Sequence, residues 1–388
     1  MEKVKKTVFL LLTVIFAAAL VFSCGQKEDS GSSTKAAEPE SSTAEVDEQT
    51  EAESTDASET AYAEDVTVAI CGHGLEAESC QRDFQQVKIE CAHRGWEYID
   101  AMTVREPSKQ RETMETLIRK NVDAIVIIYW DMEAIADLIL KAQEAGIGVY
   151  CVDTELRPGV IVSCTQNNAL AGALMSYWGI NRLNERGKVA ILSGKWHIMR
   201  RRGYVAATLF ERDYPALEMV AEEFLPLVGY EQSALNAAEN WITKYGDELD
   251  WIFSGWDTPG QYSAKIVEQA GYTRDDIFIT GIDGGSAIYS MIREGSPFAA
   301  TVSQPFELYV HTVFEVINQV ENGIMPGDTK SLVPESRVIY KAPVVTDETN
   351  VPDPGTSIHA VFNYYGGDPD DQNAWYNWQD EGGPYKIQ

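Results

Sequence analysis

The most constraining feature of this chain is a regular alternation of short apolar runs and amphipathic helical stretches over residues 65–350. Val66-Thr67-Val68-Ala69-Ile70-Cys71 is a β-rich run closed by Gly72. Cys80, Phe84, Val87 and Cys91 then recur at the spacing of one helix face, and Gly95 ends that helix. Trp96 to Ile99 reads as a second strand, and Met114, Leu117 and Ile118 mark a second helix. Asp123 to Tyr129 is almost continuously apolar, the pattern of a strand covered on both faces in a parallel sheet. A helix around Ile135–Ala142 and a strand at Ile147–Val152 complete a β-α-β-α-β-α-β series. Connections of this kind wind an open sheet with helices on both sides.

A second series follows. Helices are expected at Ala169–Leu183, Arg200–Phe210, Glu231–Tyr245, Gln261–Ala270, Ser286–Arg293 and Glu307–Val320. Between them lie strands at Lys188–Leu192, Glu218–Phe224, Trp251–Phe253, Ile277–Ile282 and Phe298–Val302. With 388 residues the chain exceeds what one core usually serves, so the expectation is α/β with two doubly wound, Rossmann-like lobes.

The first 64 residues read differently. Lys3, Lys5 and Lys6 precede an apolar run from Val8 to Phe22, the layout of an export signal over residues 1–23. Val21-Phe22-Ser23-Cys24 resembles the bacterial lipobox, which implies lipidation of Cys24 and attachment outside the cytoplasmic membrane. Residues 25–64 hold twelve acids against two lysines and hardly any large apolar side chain. Such a segment buries too little to offset its ordering entropy, so residues 24–64 are expected to form an extended acidic tether. The whole chain carries a net charge of -29, which disfavours nucleic-acid partners. After Cys24 five cysteines remain, mostly at apolar positions of expected strands and helices, so buried free thiols are expected. Residues 351–388 break the alternation; Tyr364, Tyr365, Trp375, Tyr376 and Trp378 argue that this extension packs on a lobe. Its Asp368-Pro369-Asp370-Asp371 run lacks the glycine of a calcium loop, and no metal or cofactor is expected.

In open α/β sheets ligands bind beyond the carboxyl ends of the strands. Those positions hold His73, Trp130 and Asp153 in the first series, then Trp196, Trp256 with Asp257, and Asp283 in the second. Three tryptophans at strand ends beside carboxylates suit a sugar. Indole faces stack on the C–H faces of a pyranose, and carboxylates accept from its hydroxyls. For each Asp the competing role is a helix cap. The same groups also suit a cationic ligand, since ring faces attract positive charge.

Residues 65 to about 345 resemble the type I periplasmic binding proteins of bacterial ABC transporters, in the ribose- and galactose-binding branch. The resemblance rests on Val149-Tyr150-Cys151-Val152-Asp153, Thr165-Gln166-Asn167-Asn168-Ala169-Leu170-Ala171-Gly172, Arg200-Arg201-Arg202-Gly203, Ile279-Thr280-Gly281-Ile282-Asp283-Gly284 and Ala300-Thr301-Val302-Ser303-Gln304. It implies ligand contacts from Asp153, Arg200, Asp283 and Gln304, and Asn168 joins that set. It also implies a first lobe of residues 65–164 and 304–338 and a second of 165–303 and 339–350. The three-segment hinge would cross near Ser163–Thr165, Ser303–Pro305 and Arg337–Pro343. The chain departs from the family's pattern at His73–Glu78, at Thr154 and at Trp256. The expected function is a lipid-anchored solute receptor in the cell envelope that closes on a monosaccharide and delivers it to an ABC permease. Alternatives are a membrane sensor without transport, an amino-sugar or quaternary-amine ligand, and a hydrolase. No Walker loop, Gly-x-Ser-x-Gly elbow or His-Glu-x-x-His motif supports an enzyme.

Overall fold

The computed structural model describes residues 61–73, 75, 77–104, 106–226, 228–327, 337–379 and 386–387. The expected export signal, Cys24 and all but the last residues of the tether lie outside them. Among the described residues no helix is long and apolar enough to cross a membrane.

The first lobe opens with β1 (Thr67–Cys71), α1 (Glu78–Arg94), β2 (Glu97–Asp100), α2 (Pro107–Lys120), β3 (Ala124–Ile128), α3 (Ala136–Glu144), β4 (Gly148–Val152) and β5 (Val162–Gln166). The second runs α4 (Asn168–Arg182), β6 (Gly187–Gly194), α5 (His197–Arg212), β7 (Leu217–Leu225), α6 (Tyr230–Tyr245), β8 (Trp251–Ser254), α7 (Asp257–Gln269), β9 (Phe278–Asp283), α8 (Ser286–Arg293) and β10 (Phe298–Ser303). The chain returns to the first lobe with α9 (Phe306–Glu321) and β11 (Val338–Lys341), then adds β12 (Val344–Asp347) to the second.

Both sheets have six strands in the same spatial order, β11-β5-β4-β3-β1-β2 and β12-β10-β9-β8-β6-β7. All neighbours are parallel except β12, which runs antiparallel to β10. The order reverses beside β1 in one sheet and beside β6 in the other. These are the switch points where loops diverge and leave a crevice. The two faces of each sheet bury separate cores, as alternation along β1 shows: Val68 and Ile70 pack on one side, Ala69 and Cys71 on the other. Gly95 caps α1 at φ 71, a left-handed conformation that glycine adopts without Cβ strain.

Three boundaries differ from the sequence reading. β5 continues through Gln166 in the first sheet, so residues 165 and 166 belong there and the first crossing follows them. β11 pairs with β5, so residues 339–341 also belong to the first lobe and the third crossing falls at Ala342–Pro343. These short strands mix polar and apolar residues, so periodicity does not mark them; only the ladder does. The tether's last residues are docked as well. Ala63 donates its N–H to Asn318 Oδ1 at 2.9 Å and its carbonyl accepts from Trp96 Nε1 at 2.8 Å.

The extension beyond β12 contacts both lobes rather than one. Ile358 and Ile387 bury themselves against Tyr289 of α8, and Pro352 O accepts from Arg293 at 2.6 Å. Farther on, Trp375 stacks on His311 of α9 at 4.5 Å between centroids, and Trp378 stacks on His93 of α1 at 3.5 Å. Beneath it lies His359, 1% exposed, its ring 5.1 Å from that of Trp375.

That histidine makes acid stability a measurable signature of the extension. Burial pushes its pKa from 6.5 down to about 4, although the carboxylate of Glu307 works the other way. The unfolded chain therefore binds a proton that the folded chain refuses, and stability falls as the pH drops from about 6.5 to about 4. The full loss is about 3 kcal/mol. Melting curves of His359→Leu and the parent across this range should converge towards low pH; parallel curves would show that His359 does not carry the effect.

Candidate functional site

A cavity of about 380 Å³ lies between the carboxyl ends of the two sheets and is lined from both. Of the residues expected from sequence, His73, Trp130, Asp153, Trp196, Trp256 and Asp283 line it. The other four do not, and their placement is informative.

Asp153 follows β4 at φ 40, a strained backbone for a non-glycine residue. Its Oδ1 accepts from Thr165 Oγ1 at 2.5 Å and its Oδ2 from Tyr129 Oη at 3.2 Å. Tyr129, at φ 58 after β3, donates its own N–H to Thr154 Oγ1 at 2.8 Å. The loops after β3 and β4 thus hold each other, and together they aim the Asp153 carboxylate. Asp283, at the end of β9, comes from the opposite lobe. Gln304 donates to its Oδ1 at 2.7 Å, and Arg202 Nη1 lies 3.5 Å from the same atom. Burial raises the Asp283 pKa, Arg202 opposes that rise, and the charge of Asp153 adds to it.

Gln304 therefore stands behind Asp283 and not at the cavity wall. Asn168 is likewise one step back. Asn167 caps α4, accepting from the N–H groups of Ala169 and Leu170, which leaves Asn168 Oδ1 to accept from Arg202 Nε at 2.8 Å. Arg200 is a misplacement: it is exposed on α5, with its guanidinium 5.9 Å from the Tyr204 ring. The inward arginine is Arg202, fully buried, which also donates to Gly255 O at 2.9 Å. Helical spacing could have found it, because Arg202, Ala206 and Phe210 lie at i, i+4 and i+8 on the buried face. Gly172 makes room for this approach; a Cβ there would stand 2.7 Å from Arg202 O. Asp257 is turned away. Its Oδ2 accepts from Gly284 N–H at 2.7 Å and its Oδ1 from Thr301 Oγ1 at 2.7 Å, so it ties the Asp283–Gly284 loop to the second sheet. Burial, and then the charge of Asp283, raises its pKa.

The aromatic lining falls into two parts. Trp130 is buried on the first lobe, and its Nε1 has no hydrogen-bond partner among the described residues. Trp196 and Trp256 of the second lobe meet at 5.1 Å between centroids and 57° between planes, forming a concave aromatic corner. Tyr230 and Met199 extend that wall; neither was expected from sequence. Cys71, Cys80, Cys91, Cys151 and Cys164 are buried and form no disulfide among the described residues, and burial raises the thiol pKa of Cys71, Cys91, Cys151 and Cys164.

Two sheets in matched order, with the cavity at their switch points, agree with a sequence comparison in which the periplasmic binding protein domain matches residues 68–323. The chain belongs to the periplasmic binding protein family. Among curated proteins, a xylitol-binding protein of Mycolicibacterium smegmatis is 26% identical over 48% of this chain and 53% of its own length. A D-apiose import binding protein of Actinobacillus succinogenes is 23% identical over 63% of this chain and 78% of its own. Among solved structures, a periplasmic solute binding protein from Actinobacillus succinogenes with bound D-allose superposes with a TM-score of 0.64 at 23% identity, covering 74% of this chain and 99% of that one. One from Agrobacterium vitis with bound allitol gives 0.65 at 19% identity, over 74% and 96%. At these identities the superpositions speak for the periplasmic binding protein fold alone.

Proposed function

We propose that this protein is the extracytoplasmic solute-capturing component of an ABC importer, that it closes on a sugar or sugar alcohol, and that it is anchored through a lipid on Cys24. The observation that carries the reading is the pairing of Asp153 and Asp283, one carboxylate from each lobe, on a single cavity. A polyhydroxylated ligand accepted by both bridges the lobes, so it favours the closed form by its differential affinity. Trp130 supports the same chemistry, because it lines the cavity and its Nε1, buried with no partner among the described residues, can donate to a hydroxyl oxygen. The relatives named for xylitol and D-apiose, and the neighbours holding D-allose and allitol, are proteins for ligands of this class. A membrane permease is the partner that would take the ligand from the closed form.

A thermal-shift screen against pentoses, hexoses and their alditols tests this. A true ligand at about 100 times its Kd should add about 2.7 kcal/mol of stability. A flat response across the whole panel would sink the reading.

A further inference from the structure

We infer that the ligand of this cleft is a polyhydroxylated molecule carrying a protonated amine, held between Asp153 and Asp283 and against Trp130, Trp196 and Trp256. This rests on the solute-capture reading and narrows its ligand class. The first observation is where each nearby cation is already committed. Arg82 is spent on Glu307 at 2.7 Å and on the carbonyls of Gly284 and Gln304. Arg157, at the cavity's rim, stands between Glu133 at 3.5 Å and Glu155 at 3.1 Å. Arg202 lies against Asp283 behind the cavity wall, and it divides itself among Asn168, Gly255 O and that carboxylate. Two deep carboxylates thus meet one shared guanidinium, and Asp131 adds a further acid at the rim.

A third acid shows how the site treats added charge. Asp83 of α1 is fully buried, close to Asp153 and Tyr129. Burial, and then the charge of Asp153, pushes its pKa well above the ordinary value, so Asp83 favours its neutral form. That leaves Asp153 and Asp283 as the acids the ligand meets. A neutral polyol gives them no countercharge, whereas an ammonium group supplies one where the two lobes meet.

The aromatic lining points the same way. Trp196 and Trp256 present ring faces from two directions, and Trp130 closes the cavity from the other lobe. Ring faces attract cations, most strongly where water is excluded. Hydroxyl groups are still required, because Trp130 lines the cavity and its Nε1 is a donor that an amine cannot satisfy.

Calorimetric titration with matched pairs tests this: D-glucosamine against D-glucose, D-galactosamine against D-galactose, and 1-amino-1-deoxy-D-sorbitol against D-sorbitol. In at least one pair the amine should bind ten-fold or more tightly than its neutral partner. Its affinity should fall several-fold between 20 and 500 mM salt, about the range over which screening takes hold. Asp153→Asn should bring the two members of that pair within about three-fold of each other, since it removes charge and keeps the hydrogen bonding. Asp283→Asn provides the same comparison if Asp153→Asn misfolds. Neutral members binding as well as or better than the amines would overturn the amine inference and leave the capture reading standing. Silence from every compound, amine and neutral alike, would overturn both.

Discussion

Arg82→Met should lower the unfolding free energy by about 3–5 kcal/mol, the usual cost of stripping one partner from a buried ion pair. Arg82 and Glu307 are 1% and 2% exposed and meet through two bonds, Nε to Oε1 at 2.7 Å and Nη2 to Oε2 at 2.8 Å. The guanidinium also donates to Gly284 O at 2.9 Å and to Gln304 O at 3.2 Å. One side chain from α1 thus fastens the first lobe to a loop of the second and to the crossing between them. Methionine matches the stem but leaves Glu307 buried without a countercharge and two carbonyls without donors. The double variant Arg82→Met, Glu307→Met should recover most of the loss, because well-packed apolar pairs often replace buried ion pairs at little cost. Urea unfolding of the three proteins decides it. A single variant within about 1 kcal/mol of the parent would mean the pair is not a structural tie.

Asp283→Ala should weaken binding of the best ligand by 100-fold or more while leaving the fold intact. Each hydrogen bond to a charged carboxylate contributes about 1.5–3 kcal/mol, and a sugar-like ligand can make two. The variant also frees Arg202 and Gln304 from the atom they hold, so the site loses orientation as well as an acceptor. Burial raises the Asp283 pKa above its unfolded value, so ionising it as the pH rises to neutrality costs the folded state. Removing it relieves that cost but leaves the buried Arg202 without its carboxylate, so the melting temperature at pH 7 should stay close to the parent's. Asp153→Ala should show the same loss of affinity. Calorimetric Kd beside a melting curve separates the outcomes. Heavily lowered melting with unchanged affinity would make both residues loop braces rather than ligand contacts.

Much of the site was legible because strand ends in an open α/β sheet are legible. Trp130, Asp153, Trp196, Trp256 and Asp283 all follow strands that local patterning identifies, and all line the cavity. The errors share a cause. Arg200 belongs to a run of three arginines whose directions differ by about 100° per residue, and only the buried face at Ala206 and Phe210 selects Arg202. Asp257 follows a strand as Asp283 does, yet its carboxylate is drawn back by Gly284 N–H and Thr301, partners that no local pattern announces. Tyr129 stands at a strand end that the pattern marks, but its role in aiming Asp153 depends on a loop met only in space.

The two doubly wound lobes, the helix end at Gly95 and the strand ends where a ligand could sit were all written in the amino-acid sequence. These follow from periodicity and capping, which act over a few residues and are written locally. The tertiary structure alone decided which acids reach the cavity, which arginine turns inward, and that β11 and β12 edge the two sheets. It alone brought Arg82 to Glu307 across 225 positions of chain, and carried the aromatic extension from α8 onto α1 and α9. Such pairings depend on how packed elements approach one another, and side chains that meet only after packing leave no periodic trace in the chain that encodes them.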